Sequence, residues 1–339
     1  MIAQVKCPDN QRSVYLSTSV LIASYRRAER LTRCLKSLAN QVMLPDEVIV
    51  VWQGDDEATK QLGEKFAQEA PFPLKVIHCA EPGIVPAENT GLAVAAGQII
   101  LLIDDDAIAP SDWLLRHVSH YQDPIVGAVG GPYMNYHADG RAFVRRQPRK
   151  VGKLEWYGRF VGNGFDHIDA WQTRSPTRVD HLAGGNMSVR RTAFFRFEER
   201  LKPYWQLFEA EACLQVTANG FTILFDWANR IDHFPTNDVF IQDREGDLKR
   251  KIFNSAYNHG FILGKHSGRN LGFVRLAYLW LLGSTANPGL LAFFRALSRY
   301  GGLRRELTIL RRSLACHGRG WWDGLARREN WDLLRQNKK

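Results

Sequence analysis

The chain has 339 residues, is 45% hydrophobic and carries a formal charge of +10. That apolar content can fill a large core and excludes a disordered chain, and the length fits one large domain with an appendage. The charge is uneven: residues 1–240 hold 26 Lys and Arg against 28 Asp and Glu, whereas residues 241–339 hold 19 against 7, so a basic C-terminal segment facing an anionic partner is expected rather than a basic active site.

Residues 1–16 carry Lys6, Asp9 and Arg12 among polar neighbours and lack the apolar core of a signal peptide, so they read as an extension on an unsecreted chain. From Ser19 onward short β-branched runs alternate with helix-period stretches. The strands predicted are 19–24, Glu47 to Trp52, Leu74 to Cys79, Gln98 to Ile103 and Ile125 to Val129. Leu31, Leu35, Leu38 and Val42 recur at helical spacing after the first, and Ala58, Leu62, Phe66 and Ala70 after the second. This rhythm of nearly all-apolar strands and helices predicts an α/β fold, a doubly wound and mostly parallel sheet covered on both faces. In such sheets ligands bind outside the carboxyl ends of the strands. Tyr25, Gln53 and the acidic run Asp104-Asp105-Asp106 all fall at such ends.

That acidic run is the strongest functional signal. Three carboxylates leaving a buried strand require a cation or many hydrogen-bond donors, and Mg2+ or Mn2+ accepts one or two carboxylates while leaving positions for phosphates. The alternative is a solvated loop capping a helix that starts near Ser111-Asp112. Residues 131–180 read as an irregular excursion, and regularity returns at 181–187, at a helix near Phe208 to Val216 and at a strand from Phe221 to Phe225. The first module closes near His233-Phe234-Pro235, giving a domain at 17–240.

Residues 241–339 form the basic tail, predicted to be helical. Its stretch Leu276 to Phe294 has no charge, but Gly283-Ser284-Thr285 and Asn287-Pro288-Gly289 interrupt it, so two short apolar arms are expected rather than one membrane span. With Arg275, Arg295, Arg299, Arg304 and Arg305 nearby and Trp321-Trp322 beyond, the tail reads as an element for an anionic membrane interface, against the alternative of helices packed on the main domain. Nucleic acid is not expected as a partner. The five cysteines, Cys7, Cys34, Cys79, Cys213 and Cys316, show no CxxC spacing, and their odd number fits a reducing cytosol rather than a disulfide framework.

Several ordered motifs over residues 17–235 resemble the inverting nucleotide-sugar glycosyltransferases of family 2, which have the GT-A fold. The start Val20-Leu21-Ile22-Ala23-Ser24-Tyr25-Arg26-Arg27 looks like that family's nucleotide-binding turn. Asn89-Thr90-Gly91-Leu92, Ala96-Gly97 and the acidic run look like its metal-binding block, and Gly184 to Arg191 looks like its sugar-pocket segment. The resemblance implies a divalent ion, Mn2+ or Mg2+, on Asp106, and donor contacts from Ala23, Ser24, Tyr25, Gln53, Asn89, Asp104, Asp105, Gly185 and Asn186. It further implies that Glu209 is the catalytic base and Glu211 the second, supporting acid; His233, following the last strand, reads as a metal neighbour in support or as a structural histidine. Here glutamates stand where the family usually has aspartates, and Gln53 stands where an aspartate commonly recognises base or ribose. UDP-sugar is the first expectation for the donor, with GDP and dTDP sugars open. The implied acceptor is a hydroxyl of a glycan or lipid-linked molecule in cell-surface polysaccharide synthesis, at the inner face of the cell membrane. A catalytically silent glycan- or membrane-binding module and a nucleotidyltransferase are the alternatives, the latter lacking its Gly-rich basic loop after the first strand.

Overall fold

The computed structural model describes residues 14–137, 140–142, 150–162, 175–202, 207–235, 248–283, 289–300 and 302–336. Residues 1–13 of the N-terminal extension, the boundary at 240/241, Pro288 and the arginine-rich part of the 131–180 excursion lie outside these. β1 (Thr18–Ser24), β2 (Glu47–Gln53), β3 (Leu74–Cys79) and β4 (Ile99–Ile103) lie parallel in the order β4-β1-β2-β3. Every residue of β2 and β4 is buried, as strands covered on both faces must be. Alternation decides which helix each residue meets. Val20, Ile22, Val48 and Val50 share one core with Leu31 and Leu35 of α1 (Ala28–Ala39), while Leu21, Ile49 and Val51 share the other with Val85 and Ala87 of α3 (Ile84–Val94).

α1 stops sooner than its apolar spacing predicts. The Asn40 N–H bonds back to Lys36 O and the chain turns, so Val42 lies beyond the helix and is 68% exposed. α2 (Glu57–Ala67) starts at Asp56, whose carboxylate accepts from the Thr59 N–H as an N-cap.

The second half departs from a purely parallel pattern. β11 (Asn186–Arg190) runs antiparallel between β4 and β6 (Val126–Gly130); beyond β6 lie β12 (Thr222–Phe225) and β10 (Thr177–Arg178), so the sheet has eight strands. α4 (Trp113–His120) and α5 (Phe208–Ala218) cover this half. In the excursion, β8 (Lys153–Leu154) pairs with β9 (Phe160–Val161). A second sheet of β5 (Ala107–Ile108), β13 (Ile231–His233) and β7 (Tyr133–Asn135) matters more for chemistry, because its register sets His233 against both Ala107 and Asn135.

Four helices follow: α6 (Leu248–Ser267), α7 (Arg269–Leu282), α8 (Leu290–Tyr300) and α9 (Leu303–Gln336). The uncharged stretch is indeed divided, with α7 ending at a left-handed Gly283. Among the described residues no helix is long and apolar enough to cross a membrane. α9, at 34 residues, spans about 50 Å.

α6 and α9 run in the same direction with their backbones touching. A Cβ at Gly264 would lie 2.2 Å from Trp321 O, and one at Gly320 would lie 2.0 Å from Tyr257 O. Backbone cannot yield as a flexible side chain would. Gly264→Ala is therefore expected to lower stability by about 2 kcal/mol or more, whereas Gly318→Ala, whose Cβ would meet only Trp280 at 3.6 Å, is neutral or stabilising by up to about 1 kcal/mol. Thermal denaturation of both variants checks the contrast, and equal Tm values would contradict this contact.

Candidate active site

The three acids at the end of β4 have separate partners. Asp105, buried, accepts from the Ser24 hydroxyl at 2.7 Å through Oδ2 and from Arg27 Nη1 at 2.9 Å through Oδ1. Arg27, at the start of α1, also bonds Asp106 Oδ2 at 3.1 Å. His233 Nε2 lies 3.0 Å from Asp106 Oδ1 and 3.4 Å from Asp104 Oδ2, and Asp104 alone of the three is substantially exposed. The run is thus packed against two cationic side chains and caps no helix; the N-cap of α4 is Asp112.

Burial and its neighbours set the protonation states. Burial raises Asp105 to about 6 although the Arg27 charge opposes it. Burial would lower His233, but hydrogen bonds to Asp104 and Asp106 and their charges raise it to about 9, so it is an imidazolium at neutral pH. Its other nitrogen, Nδ1, donates to Asn135 Oδ1 at 2.6 Å, a contact made by the β13–β7 register. That bond orients the ring with Nε2 towards the acids, the arrangement used by histidines that ligate metals. One atom each from Asp104, Asp106 and His233 lies within 4.8 Å of the others, a set of two carboxylates and an imidazole that could hold a divalent ion.

Glu209 faces this group across two glycines. A Cβ at Gly185 would fall 2.1 Å from Asp104 Oδ2, and one at Gly184 would fall 2.8 Å from Glu209 Cγ. The Gly184 N–H donates to Glu209 Oε1 at 3.3 Å. Only bare backbone fits between the two carboxylates, which is what the Gly-Gly pair supplies. Glu209 stands in the first turn of α5, half-buried.

Three of the expected donor-contacting amides are turned inward. Gln53 donates to Ser24 O and accepts from the Gly83 N–H, so it bridges β1 to the start of α3. Asn89 donates to Phe197 O and accepts from the Phe197 N–H, tying α3 to the chain after β11. Asn186 accepts from Trp113 Nε1 and donates to Pro132 O and Asn229 O, wholly buried. Ser24 holds Asp105. Tyr25 is half-buried, its ring edge beside Gly54 and under the Arg26 guanidinium at 5.0 Å, with Ala23 half-buried before it. Glu211 points away from the crevice into a buried cluster.

Two residues had no role from the sequence. Arg27, which neutralises the acidic run, was signalled only by its place in a nucleotide-binding turn. Glu88 of α3 is 6% exposed and its Oε2 is buried with no hydrogen-bond partner. Burial, then the charges of Glu209 and Asp104, raise its carboxyl well above the usual range. In the sequence it is an ordinary helix acid.

The sequence profile of Glycosyl transferase family 2 matches residues 19–194, just over half of the chain. The chain belongs to glycosyl transferase family 2. Two relatives come from Haloferax volcanii. The glycosyltransferase AglE is 31% identical over 115 residues, 33% of this chain, and the match spans only 38% of AglE. A glucosyl-dolichyl phosphate glucuronosyltransferase is 24% identical over 64% of this chain and 69% of its own length. Among solved structures, S. aureus TarS in complex with UDP-GlcNAc superposes with a TM-score of 0.58 at 13% identity, covering 94% of this chain and 92% of that one. The Pyrobaculum calidifontis mannosyltransferase PcManGT, in complex with GDP-Man and Mn2+, superposes with a TM-score of 0.53 at 18% identity, covering 92% and 88%. This glycosyltransferase therefore has the GT-A architecture, with its acidic run at the carboxyl edge of the parallel strands and C-terminal helices appended.

Proposed function

We propose that this glycosyltransferase moves a sugar from a nucleotide-diphosphate donor to a hydroxyl of a glycan or lipid-linked acceptor, with inversion at the anomeric carbon. The observation that carries the reading is the pairing of Asp104, Asp106 and His233 with Glu209 across the Gly184-Gly185 backbone. The two sides suit the two halves of the reaction. Asp106, with Asp104 and His233, would hold a divalent cation, Mn2+ or Mg2+. Bound there, such an ion neutralises the charge of the departing diphosphate as a Lewis acid. Glu209 takes the acceptor hydroxyl proton as its oxygen attacks the face opposite the leaving group. Tyr25, just past the end of β1 with Gly54 beside it, would offer its ring as a stacking face for the nucleobase. Ser24 and Arg27 fix Asp105 and so hold the acidic run in place.

UDP remains the first donor assignment, supported by the UDP-GlcNAc bound to TarS, while the GDP-Man bound to PcManGT keeps GDP open. The name of the Haloferax glucuronosyltransferase supports a lipid-linked acceptor. The division into a transferase domain at 17–240 and a basic helical segment at 241–339 belongs to this reading. The helices after residue 247 expose Phe273, Val274, Leu281 and Phe294 and carry exposed Arg295, Arg304 and Arg305, which supports docking on an anionic membrane at its cytoplasmic face.

Nucleotide release from UDP- and GDP-sugars, with water as acceptor, tests the reading. The expected result is slow hydrolysis of one donor that requires Mn2+ or Mg2+. No release from any donor by folded protein favours the silent binding module.

A further inference from the structure

The C-terminal helices meet α5 at a buried ionic cluster. Glu211, two residues beyond Glu209 and fully buried, accepts from Lys265 Nζ at 2.6 Å and from His266 Nε2 at 2.8 Å through Oε1. Its Oε2 accepts from Gln215 Nε2 at 2.7 Å, one turn along α5. Lys265, its side chain only 2% exposed, also donates to Glu198 Oε2 at 2.9 Å, and Arg327 of α9 reaches the same oxygen at 3.3 Å. Burial would raise Glu211, but the Lys265 charge and the His266 hydrogen bond lower it to about 2, so it stays ionised.

A carboxylate and an ammonium this deeply buried are costly unless their geometry is well made. Hydrophobic packing could join these helices to the sheet without that cost, so what the cluster holds in place matters. α5 is preceded at its N-cap by Leu207, a left-handed residue at φ 54° that makes no side-chain capping bond. Its first turn carries Glu209 on the crevice side and Glu211 on the other. The bonds to Glu211 fix the rotation of that turn, and with it the Glu209 carboxylate.

We propose that Lys265 is a positioning residue for Glu209, acting through Glu211, so that the C-terminal helices are part of the transfer machinery. This rests on the reading of Glu209 as the base. Lys265 bonds Glu211, two residues from Glu209 in the first turn of α5, so the effect should fall on turnover and not on donor binding.

The test uses the full chain with four donors, UDP-glucose, UDP-N-acetylglucosamine, UDP-glucuronate and GDP-mannose, in Mn2+, read as nucleotide release. Lys265→Met removes the ammonium from a buried Glu211 that keeps only its bonds from His266 and Gln215, so the double variant Lys265→Met with Glu211→Gln, which removes both charges, guards against misfolding. Both variants are expected to lower kcat at least tenfold, per molecule competent to bind Mn2+ and nucleotide, with the donor KM within about twofold of wild type. A merely structural role would lower the competent fraction and leave kcat per competent molecule unchanged, which overturns the proposal. Glu209→Gln is measured alongside. If it is inactive while the double variant turns over normally, the positioning role alone fails. If it is fully active, or if the wild type turns over none of the four donors, the underlying reading fails and the proposal with it.

Discussion

Glu209→Gln is expected to lower transfer by about 10²- to 10⁴-fold while leaving metal-dependent nucleotide binding intact. The amide keeps the size of the side chain and an oxygen that accepts from the Gly184 N–H, so the glycine pair and Asp104 need not move. What it loses is the ability to take a proton from the attacking hydroxyl. Steady-state nucleotide release, with nucleotide affinity measured by calorimetry on the same sample, separates the two effects. Full activity in the variant would remove Glu209 from the mechanism, whatever its position.

Asp106→Asn should act on the other half of the site. Asp106 is buried and bonded on one side by Arg27 and on the other by His233, so the amide weakens a ligand group and upsets a charge balance together. The expected result is loss of Mn2+-dependent nucleotide binding by at least tenfold, with some loss of stability from the disturbed buried pairs. The wild-type pH dependence checks the same group. A raised His233 pKa means that, without metal, its pairing with Asp104 and Asp106 stabilises the fold below the ordinary histidine range and fades as the pH rises through about 9. If Nε2 binds the metal, its proton must leave first. Mn2+ affinity should then rise by up to about tenfold per pH unit between pH 7 and about 9, levelling above it. Calorimetry at several pH values measures this, and a flat profile would exclude His233 as a ligand.

The parts of the molecule legible in the sequence are those set by local pattern. β1, β2, β3 and β4 are apolar runs whose period leaves few alternatives, and the acidic run announces itself because three carboxylates ending a buried strand need a partner. The antiparallel direction of β11 is hidden, since a strand reads the same in either direction and its neighbours decide. Gln53, Asn89 and Asn186 illustrate a second limit. An amide at a strand end or on a helix gives no sign of whether it turns towards a ligand or towards backbone groups of another element. The pairing of Lys265 with Glu211 is a third case. Fifty-four positions separate them, and nothing in either neighbourhood announces that both charges are buried.

The measurement that bears most directly on the whole account is a thermal-shift panel of UDP, GDP, dTDP and CMP on the wild-type chain, each with and without Mn2+. One nucleotide, UDP being the first candidate, is expected to stabilise the protein, and to do so only with the metal. Well-folded protein that no nucleotide stabilises, in the presence or absence of Mn2+, would contradict it.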